Sequence, residues 1–267
     1  MGDRTPLRAG GEFHHVDGIV TSFELEVDEV GDVGWAQLAF DASNTAGFLE
    51  RWGAAVEAAP RDLTSFLMMG TRTPGRPLVA QVMTVVDSSD PDTIIDRLQE
   101  LAAAGPLLQQ SVQLVPYASI MANVQDEQHH GQGEPVARSA LIEHFTPEFA
   151  AAMASLVDSG EIYVLSIRSV GGAVSNVASD ATAYAGRSAN FSVTALGTHR
   201  AGLDEVWDTL RPHFSGMYLS FDTDPRPERL DDAFPPATLA RLRELKARID
   251  PGNLFRDNFN VVLRNVE

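Results

Sequence analysis

The order in which hydrophobic periods of two and of 3.6 residues follow one another limits this chain more than any single motif does. Residues 18–29 alternate apolar and polar (Ile19, Thr21, Phe23, Leu25, Val27), the two-residue period of a half-buried strand. Gly31 and Gly34 flank a turn into a second such run, 35–40. Asp41 or Ser43 is placed to cap a helix over 44–58, with Phe48, Leu49, Trp52 and Val56 on one face. Strands over 63–69 and 78–86 follow, separated by the turn-rich 71–75. Asp90-Pro91 opens a second helix, with proline in its first turn, running to 104. Strands over 107–115 and 138–145, a helix over 147–157, strands over 161–169 and 189–197 and a helix over 201–210 come next. An extended stretch over 216–222 and a terminal helix complete the chain. Hairpins mixed with helices exclude a regular βαβ alternation. The pattern predicts an α+β fold, an antiparallel sheet with helices packed on one face.

Composition narrows the function classes. A chain of 267 residues with 44% hydrophobic residues can furnish one sizeable core, and 1–267 reads as a single unit. A net charge of −17 argues against nucleic acid and against anionic membrane surfaces, both of which want a basic face. No cysteine is present, which excludes disulfides, a thiolate nucleophile, a Cys-ligated metal and a cysteinyl-flavin bond. The polar start (Asp3, Arg4) predicts no signal peptide, and no segment is long and apolar enough to span a bilayer, so a cytoplasmic location is expected.

The last thirty residues carry the most specific signal. Leu239, Leu242 and Leu245 recur at helical spacing up to Lys246. Asp250-Pro251 ends that helix, because proline disfavours α geometry in the residue before it. Gly252-Asn253 then turns the chain, Phe255 follows as an expected buried anchor, and Asn258 and Asn260 flank Phe259. This segment resembles the C-terminal signature of FAD-linked oxidases of the berberine bridge enzyme type. Three further stretches are similar to the family in order and spacing. They are Gly10-Gly11 with the strand from Gly18, Gly171-Gly172-Ala173 with Ala181-Thr182-Ala183, and Gly216 to Phe221, where the family has a Tyr-x-Asn-aromatic motif. The resemblance implies a substrate domain of α+β architecture, often serving secondary metabolism. It also implies a large FAD-binding domain upstream. Met1 comes only a few residues before the glycine stretch, so the expectation is that this domain is not in the chain, and that 1–30 and 249–267 are remnants that would pack on it.

The residue types then suggest where chemistry could lie. His14-His15 and His129-His130 are adjacent pairs whose side chains point apart in either a helix or a strand, so no metal site is expected. Residues 123–135 are polar and rich in helix breakers, a surface loop by composition. His144 beside Glu143 reads as a hydrogen-bonded histidine at the rim of the core, or as a substrate contact with an acid-base role if a partner lies within hydrogen-bond reach. By resemblance, the strand over 162–169 lines the substrate cavity, and some members place a carboxylate base on it. This strand offers Tyr163, Ser166 and Arg168 instead. Arg168 cannot be a base, since it stays charged; it can hold a carboxylate or enolate oxygen, or it can pair with one of the many acidic side chains. In the Gly216 motif, Ser220 stands where the family has asparagine and Phe221 stands at the second aromatic, which leaves Tyr218 as the proton-bearing group, able to face the same side as Ser220. Glu12, His14, His15 and Asp17 place bulk and charge where the family keeps small residues against the flavin, whereas Asn258 and Asn260 keep its pattern.

Three functions are consistent with these residues. The favoured one is a flavin-independent enzyme derived from an oxidase substrate domain. It would catalyse cyclisation, cycloaddition or isomerisation of a natural-product intermediate by restraining it near its reactive geometry. Tyr218, Ser220 and Arg168 would be the polarising groups, and Tyr163, Ser166, His144 and Phe221 would contact the substrate. No cofactor is then needed. In the second, the chain is the substrate-binding half of a split FAD-dependent oxidoreductase, a partner chain brings the FAD domain, and Asn258 and Asn260 meet the flavin. In the third, it is a non-catalytic metabolite-binding protein. A homodimer through the face that would have met the flavin domain is a further expectation.

Overall fold

In the strand Asp32–Asp41 (β1), Ala36, Leu38 and Phe40 are buried, while Trp35, Gln37 and Asp41 between them are more accessible. That alternation sorts a whole sheet into a helix face and an outward face. The computed structural model describes residues 22, 24, 29–72, 75–122, 136–256 and 259–261. The strand expected over 18–29, the glycine stretch, both adjacent histidine pairs, the 123–135 loop and Asn258 lie outside the described residues or almost wholly so.

After β1 come α1 (Thr45–Ala58), β2 (Leu63–Met69), β3 (Val79–Val86), α2 (Pro91–Ala102), β4 (Leu107–Pro116), α3 (Tyr117–Ala122) and β5 (Val136–Ile142). They are followed by α4 (Pro147–Asp158), β6 (Ile162–Ser169), β7 (Phe191–Gly197), α5 (Arg200–Leu210), α6 (Arg229–Ala233) and α7 (Pro236–Ile249). The seven strands form one sheet of order β4-β1-β3-β2-β6-β7-β5, every neighbouring pair antiparallel. The fold is α+β, as the element pattern requires. Its first six elements make a βαββαβ unit ordered β4-β1-β3-β2. This unit meets the β6-β7-β5 hairpins along a seam of four residue pairs, Phe66↔Arg168 to Met69↔Leu165. β4 is an edge strand, largely exposed on both faces and without a charged residue.

Helices α1, α2, α4 and α5 cover one face and bury Trp52, Phe149, Trp207 and Leu98 against it. At the centre, the Trp52 ring lies 5.6 Å from Phe191, and Phe145 packs edge-on to Phe191 at 4.8 Å. The Trp52 Nε1–H donates to Ser65 Oγ at 3.3 Å, so the fully buried indole keeps a partner. Gly53 is required here, because a Cβ at that position would come 2.6 Å from Phe145 Cβ.

Local signals hold with small corrections. Asp90 and Thr146 cap α2 and α4, accepting from Thr93 N–H at 3.0 Å and Phe149 N–H at 3.2 Å. The cap of α1 is Asn44, one residue beyond Ser43; Asp41 instead closes the preceding turn by accepting the Ser43 N–H. The strand expected to run to Phe145 stops at Ile142, since Thr146-Pro147 already starts α4. No helix among the described residues is long and apolar enough to cross a membrane.

The C-terminal segment docks on the free edge of β5 through Leu141 N–H to Gly216 O at 2.8 Å, Ser215 N–H to Leu141 O at 2.9 Å and Thr223 N–H to Ala137 O at 3.1 Å. Beyond it a second small core forms from Leu230, Phe234, Leu239, Leu242 and Val261. Phe255, expected as a buried anchor, is 43% exposed. Asp250 holds the tail instead: its carboxylate accepts Leu254 N–H at 2.7 Å, Phe255 N–H at 3.0 Å and the Lys246 ammonium at 2.5 Å. The Lys246 ammonium also donates to the carbonyl of Phe255, so the backbone of that residue is fastened while its ring stays out.

Candidate functional site on the outward sheet face

Along β6 the helix-facing residues are Leu165 and Ile167, so Ser166 and Arg168 project from the opposite, outward face. The β2–β6 register puts Phe66 beside Arg168, and the guanidinium carbon lies 4.6 Å from the Phe66 ring centroid. From the other side of the chain Phe221 approaches to 4.8 Å. Arg168 Nη1 donates to Ser166 Oγ at 3.4 Å, and no carboxylate among the described residues comes within ion-pair distance. Of the two roles open to Arg168 from sequence, the ion pair with a surface acid is therefore not the one found. Burial without a compensating anion pulls the guanidinium below its ordinary range, though it remains a cation.

Phe221 reaches Arg168 because 216–222 is not the extended stretch expected. Leu219–Phe221 is a 3₁₀ turn closed by Phe221 N–H to Tyr218 O and Asp222 N–H to Leu219 O, both at 3.1 Å. A period near three brings Tyr218 and Phe221 to one side, with ring centroids 5.0 Å apart, and Tyr184 extends the array 6.3 Å beyond Tyr218. The same turn leaves Ser220 exposed, so it does not share a face with Tyr218 as extended geometry would require. The Tyr218 N–H reaches Ser139 Oγ on β5 at 3.3 Å, which lays the turn across the outward face.

An ion-pair network anchors the end of that turn. Asp222, fully buried, accepts Ser139 N–H at 2.9 Å and Arg229 Nη2 at 3.0 Å, with Arg138 Nη1 3.9 Å away. Arg138 in turn grips Asp204 on α5 at 2.5 Å, and Arg229 holds Asp232 at 2.5 Å. Arg226 bridges Asp208 and Asp224, which raises its guanidinium further, chiefly through its hydrogen bonds to Asp208. Sequence reasoning missed these residues, and the alternation of acids and arginines over Asp222, Asp224, Arg226 and Arg229 is the one signal that could have pointed to them.

The remaining expected site residues lie elsewhere. Tyr163 sits in a register shift between Ile162 and Val164, exposed, and five residues of strand put it roughly 16 Å from Arg168. His144 follows the end of β5 with its side chain 63% exposed and pairs with Glu57 Oε2 at 2.7 Å through Nδ1. It lines a cleft of about 350 Å³ shared with Phe149, His213 and Ser215 on the helix side of the sheet end. A second cleft, about 240 Å³, lies between Arg211, Arg229 and Met217. Neither cleft contains Arg168, which lies between the Phe66 and Phe221 rings. Asn260 is partly buried, and its Oδ1 is buried without a hydrogen-bond partner among the described residues. No His, Asp and Glu cluster among the described residues could hold a metal ion.

No protein-family model and no curated protein matches the sequence. Solved structures do match in fold. Physcomitrella patens BBE-like 1 superposes with a TM-score of 0.75 at 12% identity, over 89% of this chain and 55% of its own. A variant of berberine bridge enzyme in complex with (S)-reticuline gives 0.72 at 14%, over 92% and 58%. CrmK, a flavoenzyme involved in a shunt product recycling mechanism in caerulomycin biosynthesis, gives 0.71 at 16%, over 88% and 56%. The chain thus spans little more than half the length of these proteins, and across that span it has the fold of berberine-bridge-type FAD-linked oxidases.

Proposed function

We propose that the outward sheet face is a substrate chamber for a natural-product intermediate, and that it promotes cyclisation, cycloaddition or isomerisation without flavin chemistry. The observation that carries this reading is the electrostatic make-up of the face. Of the outward positions on β2, β6 and β7, none is Asp or Glu, and the one charge is the unpaired cation Arg168. Such a face cannot abstract a proton with a carboxylate. It can restrain a flexible apolar molecule against aromatic rings and stabilise negative charge as it develops on an oxygen. Tyr218 is suited to donate a hydrogen bond to a carbonyl, and Ser166 to orient it through Arg168. Ser220 takes no part in this version of the site.

Among the longer described helices, α5 and α7 start without a side-chain cap. The N-termini of α1, α2 and α4 are filled by their own Asn44, Asp90 and Thr146 caps, and α2 adds Asp92 in its first turn, so none of these helix starts offers a diphosphate cradle. One observation favours the second reading, in which another polypeptide supplies the cofactor: Asn260 Oδ1 is a buried acceptor with no donor among the described residues.

A mass balance decides between them. The metabolite that accumulates when the gene is deleted is incubated with purified protein, with and without added FAD, and followed by mass spectrometry. A product of unchanged mass, formed without flavin, is expected. A product lighter by two hydrogens, formed only with FAD or an FAD-domain partner, would establish the split oxidoreductase.

A further inference from the structure

We infer that the outward face holds a carboxylate subsite, formed by the Arg168 guanidinium edge and the hydroxyls of Ser192 and Thr194, that seats the acid group of a flat apolar substrate. The inference deepens the reading of the outward face as the substrate face. In the β6–β7 register Arg168 lies opposite Ser192, and Ser166 lies opposite Thr194. Since Phe191, Val193 and Ala195 enter the helix-side core, Ser192 and Thr194 project outward beside Arg168. They are only 4% and 6% exposed, and Ser192 Oγ and Thr194 Oγ1 are buried without a hydrogen-bond partner among the described residues. Their neighbours are satisfied: Ser139 Oγ takes the Tyr218 N–H and Ser166 Oγ takes the Arg168 Nη1–H. Two adjacent orphaned hydroxyls beside an unpaired cation are rare in a folded protein, where buried polar groups are almost always partnered.

The group that would satisfy them all is rich in acceptors. A carboxylate offers about four lone-pair sites, whereas a neutral carbonyl offers two. With Phe66 and Phe221 packed on the guanidinium, the donors left to Arg168 are those at its planar edge, which suits a two-oxygen acceptor. One cation and two neutral hydroxyls balance a monoanion and leave a phosphate dianion under-compensated. The Phe221, Tyr218 and Tyr184 rings provide the wall for an apolar body. Entry requires the Tyr218 end of the 3₁₀ turn to lift, where the bond to the sheet, Tyr218 N–H to Ser139 Oγ, is long at 3.3 Å, while Asp222 keeps the other end fastened through Ser139 N–H at 2.9 Å.

The test uses the full chain and isothermal titration with 2-naphthoate and with 2-naphthamide, which keeps the shape and lacks the charge. Naphthoate should bind at least about tenfold more tightly than the amide, the usual scale of a charged hydrogen bond. Arg168→Met should erase that preference while melting like the parent, since no ion pair is lost. Ser192→Ala and Thr194→Val should weaken naphthoate yet raise the melting midpoint, because each removes an unpartnered buried hydroxyl. Equal affinity for the two compounds, no naphthoate binding, or a preference that survives Arg168→Met would each overturn the subsite. Hydroxyl variants that melt lower and bind naphthoate unchanged would do the same. These readouts are independent of product mass, so the subsite can fail while the chamber stands, and the reverse.

Discussion

Lys246 and Asp250, one turn apart at the end of α7, form a buried ion pair at 2.5 Å that also fixes the backbone after the Asp-Pro break. The lysine is the only one in the chain. The Asp250 carboxyl is held below its ordinary range, first by the Lys246 hydrogen bond and then by the Leu254 and Phe255 amides. A depressed carboxylate contributes stability above its unfolded value, and that contribution disappears as the pH falls through the folded one. Urea midpoints should therefore fall on acidification below about pH 4. Lys246→Met should melt lower at neutral pH and lose less on acidification than the parent. A variant whose acid loss equals the parent's would show that Lys246 does not set the carboxyl.

Phe255→Ala should change stability by no more than about 0.5 kcal/mol, the scale of an exposed position. Phe191→Ala, at the centre of the aromatic core, should cost about 3–5 kcal/mol. Urea unfolding of the two variants side by side checks both. A large loss at Phe255 would mean that its ring docks in solution.

Arg138→Met should be among the most damaging polar substitutions in the chain. It leaves Asp222 short of one cation in a fully buried site, and breaking a buried pair costs about 3–5 kcal/mol. The loss should concentrate where Asp222 anchors the 3₁₀ turn. Faster amide exchange over 216–224 would register it, and uniform destabilisation with no local change would contradict it.

On the native substrate, Tyr218→Phe removes one neutral hydrogen bond, about 0.5–1.5 kcal/mol, and should slow turnover by about tenfold or less. A general acid or base at this position would lose about 10²–10⁴-fold instead. Rates of Tyr218→Phe and of the parent, both without added flavin, separate a chamber built on shape from one built on proton transfer.

The sheet was legible because its signals are local. Alternation marked each described strand to within a few residues, and Asp90-Pro91 announced a helix through its cap. Arg168 was singled out through the family resemblance of its strand, together with Tyr163 and Ser166. What escaped was whatever depends on pairing between distant segments. Phe66 joins Arg168 only through the β2–β6 register, which no spacing encodes. The 3₁₀ turn at Leu219–Phe221 replaced a stretch that read as extended, so Ser220 faces away from Tyr218 while Phe221, already expected as a substrate contact, comes to lie against Arg168. The orphaned hydroxyls of Ser192 and Thr194 look in sequence like any strand surface. Phe255 misled because apolarity in a turn resembles anchoring, whereas the anchor was an acid.

The narrow seam between β2 and β6 has a consequence for how the molecule comes together. Each side of it is contiguous in sequence, so each can collapse on its own short loops before the long-range join is made. Phe66 belongs to one side; Arg168, Ser192 and Thr194 belong to the other. The stacking of Phe66 on Arg168 can therefore form only once the two sides have joined, so it marks closure of the seam.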